Sequence, residues 1–267
     1  MRFGLFLLIL LVNIAHSANF HVEPKYITTG NDFNQLCADD CPVLNYGLIS
    51  TNDLWVQHII NTNVLSVFGS VGGENSPQDL LYKEFAKIGQ PTDKQLTDFL
   101  KQSELNIIQT HQELILINEN PDQHSPLIDI SARPNYLGHQ GDLELFSISE
   151  FYQVGDMVGT GSINYFVFDM IESRQLTLDD ILLPNTKEKL ENMVKEKFFN
   201  ALKKGKVDIK KHEKKWSFFL TKNFIFTKDG IKFLYQPEQI TPYNMGMPEF
   251  VIGYADLKNI VKPEYLK

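Results

Sequence analysis

Apolar residues recur along this chain with two different periods, and the change of period marks its organisation. VLNYGLI (residues 43–49) alternates as a strand, and Ser50 and Asp53 stand where a helix N-terminus wants a side-chain acceptor. Leu54, Trp55, Ile59, Ile60 and Val64 follow at helical spacing. Glycines between 69 and 73 break that helix. Ser76, Pro77 and Asp79 supply cap, N1 proline and N3 acid for a second, which carries Leu81, Phe85 and Ile88 and ends at Gly89. Thr92 with Gln95 forms a capping box for a third, carrying Leu96, Phe99 and Leu100. The first hundred residues are thus expected to be mainly helical.

From Glu113 the texture changes. ELILI, LIDISA, DLELFSISEFY and SINYFVFDM are β-branched and aromatic runs separated by Asn, Gly and Pro, the signature of an antiparallel meander. At Gln175 helical spacing returns. Thr177 and Asp180 cap a short helix in LTLDD, and a longer one is expected from Asn185 with Glu188 at N3 and Leu190, Val194, Phe198 and Ala201 on its apolar face. In NFIFTKDGIKFLY, Asp229 and Gly230 turn a hairpin between Phe224/Phe226 and Ile231/Phe233/Tyr235. Phe250, Ile252 and Tyr254 alternate as one more strand. The pattern predicts an α+β fold, an antiparallel sheet flanked by helices, in two parts: residues 18–171 and residues 172–267.

Residues 1–17 stand apart. Arg2, an apolar run over residues 3–12 and the small residues Ala15 and Ser17 have the order of a cleavable export signal. No cysteine near that point could carry a lipid, and no later run is long enough to span a bilayer. The expected location is therefore the periplasm or the exterior. No Asn begins a glycosylation sequon, which favours a bacterial envelope. Cys37 and Cys41 are the only cysteines; in an exported chain they read as a structural disulfide closing a five-residue loop, worth about 2 kcal/mol. Metal binding would need more thiolates or nearby histidine, and redox catalysis a tighter spacing.

With 43% hydrophobic and 22% charged residues, the composition is globular. Removing Arg2 with a leader leaves 24 basic against 33 acidic residues, a net charge of about −9. That charge disfavours nucleic acid and favours a basic protein as partner. Phosphate loops, nucleophile elbows and the HExxH zinc motif are all absent from the sequence. His21, His58, His111, His124, His139 and His212 are scattered, so no metal or cofactor is expected. Asp179 and Asp180 are paired carboxylates, but just after Thr177 they suit a helix N-terminus better than acid–base chemistry. KKGKVDIKKHEKK (residues 203–215) holds seven lysines; it reads as a solvated helix end, or as a contact for an anionic membrane or glycan.

One loop is built for contact. In QPEQITPYNMGMPEF the prolines Pro237, Pro242 and Pro248 restrict the backbone, while Tyr235 and Tyr243 offer amphipathic area. Preorganisation without reactive groups suits recognition, although the same aromatics would serve a loop that only braces the fold.

The succession NYFVFDM, LTLDDIL, a helix and NFIFTKDGIKFLYQPEQITPYNMGMPEFVIGYADL resembles the RsiV-like family. That family comprises the extracellular domain of a lysozyme-sensing anti-sigma factor, a module of some peptidoglycan deacetylases and some secreted mycobacterial immunogenic proteins. Tyr235, Pro237, Ile240, Pro242, Tyr243 and Gly246 stand in register with its hairpin-and-loop motif. The likeness runs upstream through ARPNYLGHQGDLELFSISEFYQVG and weakly to CPVLNYGLI. Where many relatives carry the histidine of a GGAHG turn, this chain has Val158, so no role of that histidine transfers. The resemblance implies a non-enzymatic binding protein of the envelope. Its contact residues would be Tyr235, Gln236, Pro237, Pro242 and Tyr243, and its partner a basic lysozyme-type hydrolase. The alternatives are peptidoglycan binding and an envelope hydrolase or esterase.

Overall fold

A computed structural model describes residues 20–31, 33–37, 41–117, 128–155 and 158–266. The expected leader lies outside them. β1 (Val22–Lys25) is followed by a short helix α1 (Phe33–Cys37), and Cys37 is disulfide-bonded to Cys41. The apolar run 43–49 is two strands, not one: β2 (Val43–Tyr46) and β3 (Leu48–Thr51) are separated at Gly47, whose N–H bonds the Ala132 carbonyl at 2.9 Å. β3 pairs antiparallel with β1, so the first hundred residues hold three strands as well as helices.

Helices α2 (Leu54–Gly69), α3 (Pro77–Phe85) and α4 (Asp93–Ile117) follow. Their starts are where the cap residues placed them. Ser76 Oγ accepts from the Asp79 N–H at 3.1 Å, and Thr92 and Gln95 bond reciprocally, N–H to side chain in both directions. The ELILI run is not a strand. It is the last turn of α4, with Leu114 packed on the core and Leu116 and Ile117 in solvent. A helix already nucleated extends at little cost, and the Gln109–Glu113 side-chain bond at 2.9 Å ties the preceding turn to it, so local β propensity loses.

The meander comprises β4 (Ile128–Gln140), β5 (Leu143–Val154), β6 (Thr160–Asp169) and the short β7 (Arg174–Gln175), in a five-stranded sheet of order β2-β4-β5-β6-β7. β2 enters parallel to β4, so the sheet is mixed. The alternation of β5 and β6 gives their hairpin two apolar faces. Phe146, Ile148, Phe166 and Phe168 meet Val56, Ile60 and Val64 of α2 in one core, while Leu143, Leu145 and Val167 belong to a second.

That second core is completed from the C-terminal part. α5 (Leu178–Ile181), α6 (Lys187–Lys204) and α7 (Ile209–Glu213) lead to an antiparallel sheet of order β10-β9-β8, made of β8 (Phe224–Thr227), β9 (Gly230–Leu234) and β10 (Glu249–Gly253). Leu190, Val194, Phe198 and Leu202 form the buried stripe of α6; Ala201, expected there, is exposed, because the stripe advances by four residues at its end. The loop of the β8–β9 hairpin is Lys228–Asp229, and Gly230 already pairs with Thr227. Gly230 has φ +151°, and a Cβ there would collide with the Ile252 carbonyl of β10. Tyr254, expected in the last strand, begins helix α8 (Tyr254–Leu257) and sends its hydroxyl to the Thr227 carbonyl at 2.7 Å. The architecture is α+β, with one hairpin shared by two cores.

Candidate functional site

Residues 236–247 leave the end of β9 and return to β10, and the Tyr235 N–H to Pro248 carbonyl bond at 3.0 Å closes their base. Tyr235 itself is wholly enclosed, its ring among Phe218, Phe219 and Phe250, with its hydroxyl donating to the Phe219 carbonyl at 2.9 Å. Burial pushes its phenol pKa well up. Tyr235 is therefore a core residue, and partner contact through its side chain is removed from the expectation.

Gln236 is spent inside the molecule as well. β6 has β7 beside it only at Phe168 and Asp169, so among the described residues its outer edge at Ile163 and Tyr165 has no strand partner. Side-chain amides take that place. Gln236 Oε1 accepts the Ile163 N–H at 3.1 Å and its Nε2 donates to the Ile163 carbonyl at 2.7 Å. Asn223 Nδ2 donates to the same carbonyl at 2.7 Å and its Oδ1 accepts the Tyr165 N–H at 2.8 Å. Two residues of the C-terminal part thus complete the edge of the meander, where an open row of backbone groups would invite pairing with another chain.

The loop then tightens. Gln239 Oε1 accepts the Gln236 N–H at 2.9 Å, and Glu238 between them takes φ +64°. Ile240 is buried, with its carbonyl bonded to His212 Nε2 of α7 at 2.7 Å. Thr241 is buried with no partner for its hydroxyl among the described residues. Pro237 and Pro242 are half-buried braces. Pro242 precedes a 3-10 turn, Tyr243–Met245, that ends at Gly246 with φ +70°.

What reaches solvent is the crest of this turn. Tyr243 is 43% and Met245 47% exposed. Tyr243 bonds the Gly159 carbonyl through its hydroxyl at 2.7 Å, which sets it beside the turn between β5 and β6, where Val158 is 76% exposed. Three apolar side chains are thus presented on backbone held from both parts. Of the five expected contact residues, Tyr243 alone has an exposed side chain at this crest. Met245 carried no signal beyond hydrophobicity, Val158 was marked only as standing in place of a histidine, and the approach of the two segments through Tyr243 and Gly159 spans 84 residues.

On the opposite face of the β5–β6 hairpin is a cleft of about 420 Å³ between the end of α2 and the sheet, lined by Ser66, Val67, Ser70, Glu150, Tyr152, Thr160 and Ser162. Burial raises the Glu150 pKa, opposed by a 2.7 Å hydrogen bond from Ser162; Asn164 also donates to it at 3.3 Å. One carboxyl among hydroxyls can hold polar ligand groups, but no second acid or base stands with it in this lining for paired proton transfer. Among the described residues no group of three or more His, Cys, Asp or Glu could hold a metal ion. Asp179 pairs with Lys187 at 2.8 Å and Asp180 caps α5 while pairing with Arg174 at 2.6 Å. Among the described residues no helix is long and apolar enough to cross a membrane.

Residues 179–255, which include the whole loop, match the sequence profile of DUF3298, a protein family of unknown function. The fold is similar to that of a DUF3298 family protein from Pseudomonas aeruginosa, with a TM-score of 0.59 and 17% identity over 91% of this chain and 94% of that one. A member of the DUF3298 family from Bacteroides fragilis is similar with a TM-score of 0.59 and 19% identity, covering 91% and 93% of the two chains. Both likenesses concern the fold. No curated protein matches the chain.

Proposed function

We propose that the protein is an exported, non-enzymatic binding protein of the RsiV-like kind, which grips a protein partner with the crest of the 236–247 loop. The observation that carries this is the combination of exposure and restraint at Tyr243 and Met245. Aromatic and methionine side chains are enriched at the centres of protein interfaces, and ones already held in place lose little entropy on binding. The Cys37–Cys41 disulfide suits an exported protein. The partner to test first is a basic lysozyme-type hydrolase, since a protein of net charge −8 attracts basic proteins over long range. Calorimetric titration with a basic lysozyme should give saturable heat that weakens as salt is raised. Absence of any complex at low salt removes this partner.

A second reading, peptidoglycan binding, is favoured by the hydroxyl-lined cleft around Glu150. Retention on insoluble peptidoglycan that is lost in Glu150→Ala but kept in Tyr243→Ala would assign binding to the cleft. Product release from peptidoglycan, with or without a chelator, would replace both readings by a hydrolytic one.

A further inference from the structure

The seven lysines between residues 203 and 215 are all exposed, and among the described residues none is paired with a carboxylate. The only acids of this stretch are committed elsewhere. Asp208 caps α7 by accepting the Lys211 N–H at 3.2 Å, and Glu213 faces Lys195 at 3.8 Å. Lys203 and Lys204 lie in the last turn of α6, where they complement the helix dipole. Lys210 and Lys211 stand likewise in the last turn of the five-residue α7. Lys206, Lys210, Lys211, Lys214 and Lys215 share their segment with two acids only, so positive charge predominates on it.

Aromatic side chains flank the lysines. The Lys215 ammonium sits 4.4 Å from the Trp216 ring centroid, and Phe219 is 41% exposed. The corner is also tied to the core. His212 of α7 is buried against Phe198, with ring centroids 5.6 Å apart, and bonds the Ile240 carbonyl. A fixed cationic surface edged by Trp and Phe matches a lipid headgroup region, where lysines meet phosphates and the aromatic rings settle at the boundary with the acyl chains. A soluble polyanion would reward the charges but not the rings.

We propose that the corner formed by the end of α6, α7 and residues 214–219 is a docking surface for an anionic phospholipid bilayer, holding an otherwise acidic protein at a membrane face. It rests on other residues than the binding loop and does not need that reading to hold.

The test is co-sedimentation of the whole protein with vesicles of phosphatidylcholine alone and of phosphatidylcholine with phosphatidylglycerol in equal parts. Sedimentation is expected with the anionic vesicles only, and release at high salt. Combined Lys210→Gln, Lys211→Gln, Lys214→Gln and Lys215→Gln changes should weaken partitioning by nearly three orders of magnitude, at about fivefold per lysine near the surface. These exposed replacements leave the packing intact, which circular dichroism verifies. Lys83→Gln with Lys94→Gln, on α3 and α4, should change nothing. In a Trp55→Phe background the Trp216 emission should shift to the blue on binding, and Trp216→Ala should weaken sedimentation. Equal sedimentation with uncharged vesicles, indifference to the four glutamines, or indifference to Trp216→Ala with heparin competing fully would each overturn the proposal.

Discussion

Gln236 lies along Ile163 as a neighbouring strand would, its amide exchanging both hydrogen bonds with that residue's backbone at 3.1 and 2.7 Å. A side chain that reproduces a strand partner does two things here. It closes the edge of β6, and it fastens the loop to the hairpin that both cores share. Gln236→Ala leaves the Ile163 N–H without its partner at a half-buried site, which costs about 1–3 kcal/mol. Urea unfolding should show the loss as a lower midpoint. The variant should also associate more readily at high concentration, measurable by sedimentation velocity, because the strand edge is freed.

This amide clamp was invisible in the sequence for the same reason that the caps were legible. Ser76, Thr92 and Thr177 act on groups three residues away, so their chemistry is written locally. Gln236 and Ile163 are 73 residues apart. Tyr235 and Tyr243 posed a similar problem. Both flank prolines in one loop, yet one is core and the other crest, a difference set by Phe218, Phe219 and Phe250 closing over the first. The parallel entry of β2 and the helical end of α4 are likewise outcomes of packing between remote segments that periodicity does not encode.

Asp180 gives a prediction at low pH. The Thr177 hydroxyl, the Thr177 N–H and Arg174 hold its carboxyl down at about 2. A lowered carboxyl stabilises the fold above its unfolded pKa, and that contribution fades as pH falls through the folded value. Asp180→Asn should therefore lose about 1 kcal/mol at neutral pH, the usual worth of such a cap. Wild type and variant should converge as pH falls from about 4 towards about 2 in thermal unfolding.

Glu144 works in the opposite sense. It is fully enclosed on β5, accepts a 2.5 Å bond from the Tyr136 hydroxyl and has no partner for its other oxygen among the described residues. Burial raises its pKa, against the pull of that hydroxyl. A raised carboxyl favours the fold below its unfolded pKa, and that benefit is lost as pH rises through the folded value. Glu144→Gln keeps an acceptor for Tyr136 and removes the ionisation. Relative to wild type it should gain stability as pH rises above the unfolded carboxyl value of about 4, read from urea midpoints at successive pH values.

Tyr235 and Tyr243 should separate stability from binding. Tyr235→Phe keeps the ring in its aromatic surroundings and removes only the bond to the Phe219 carbonyl, so it should cost about 1 kcal/mol in unfolding experiments. Affinity for a partner should stay unchanged, since no atom of that side chain reaches the surface. Tyr243→Ala reverses the pattern. The lost side chain is 43% exposed and its bond to Gly159 is at the surface, which limits the stability loss to about 1 kcal/mol. A centrally placed aromatic of an interface carries about 2 kcal/mol or more, so binding should fall about thirtyfold or further, and more again with Met245→Ala. Affinity that survives both crest changes would move the recognition surface away from the 236–247 loop, while the fold around Tyr235 would stand as described.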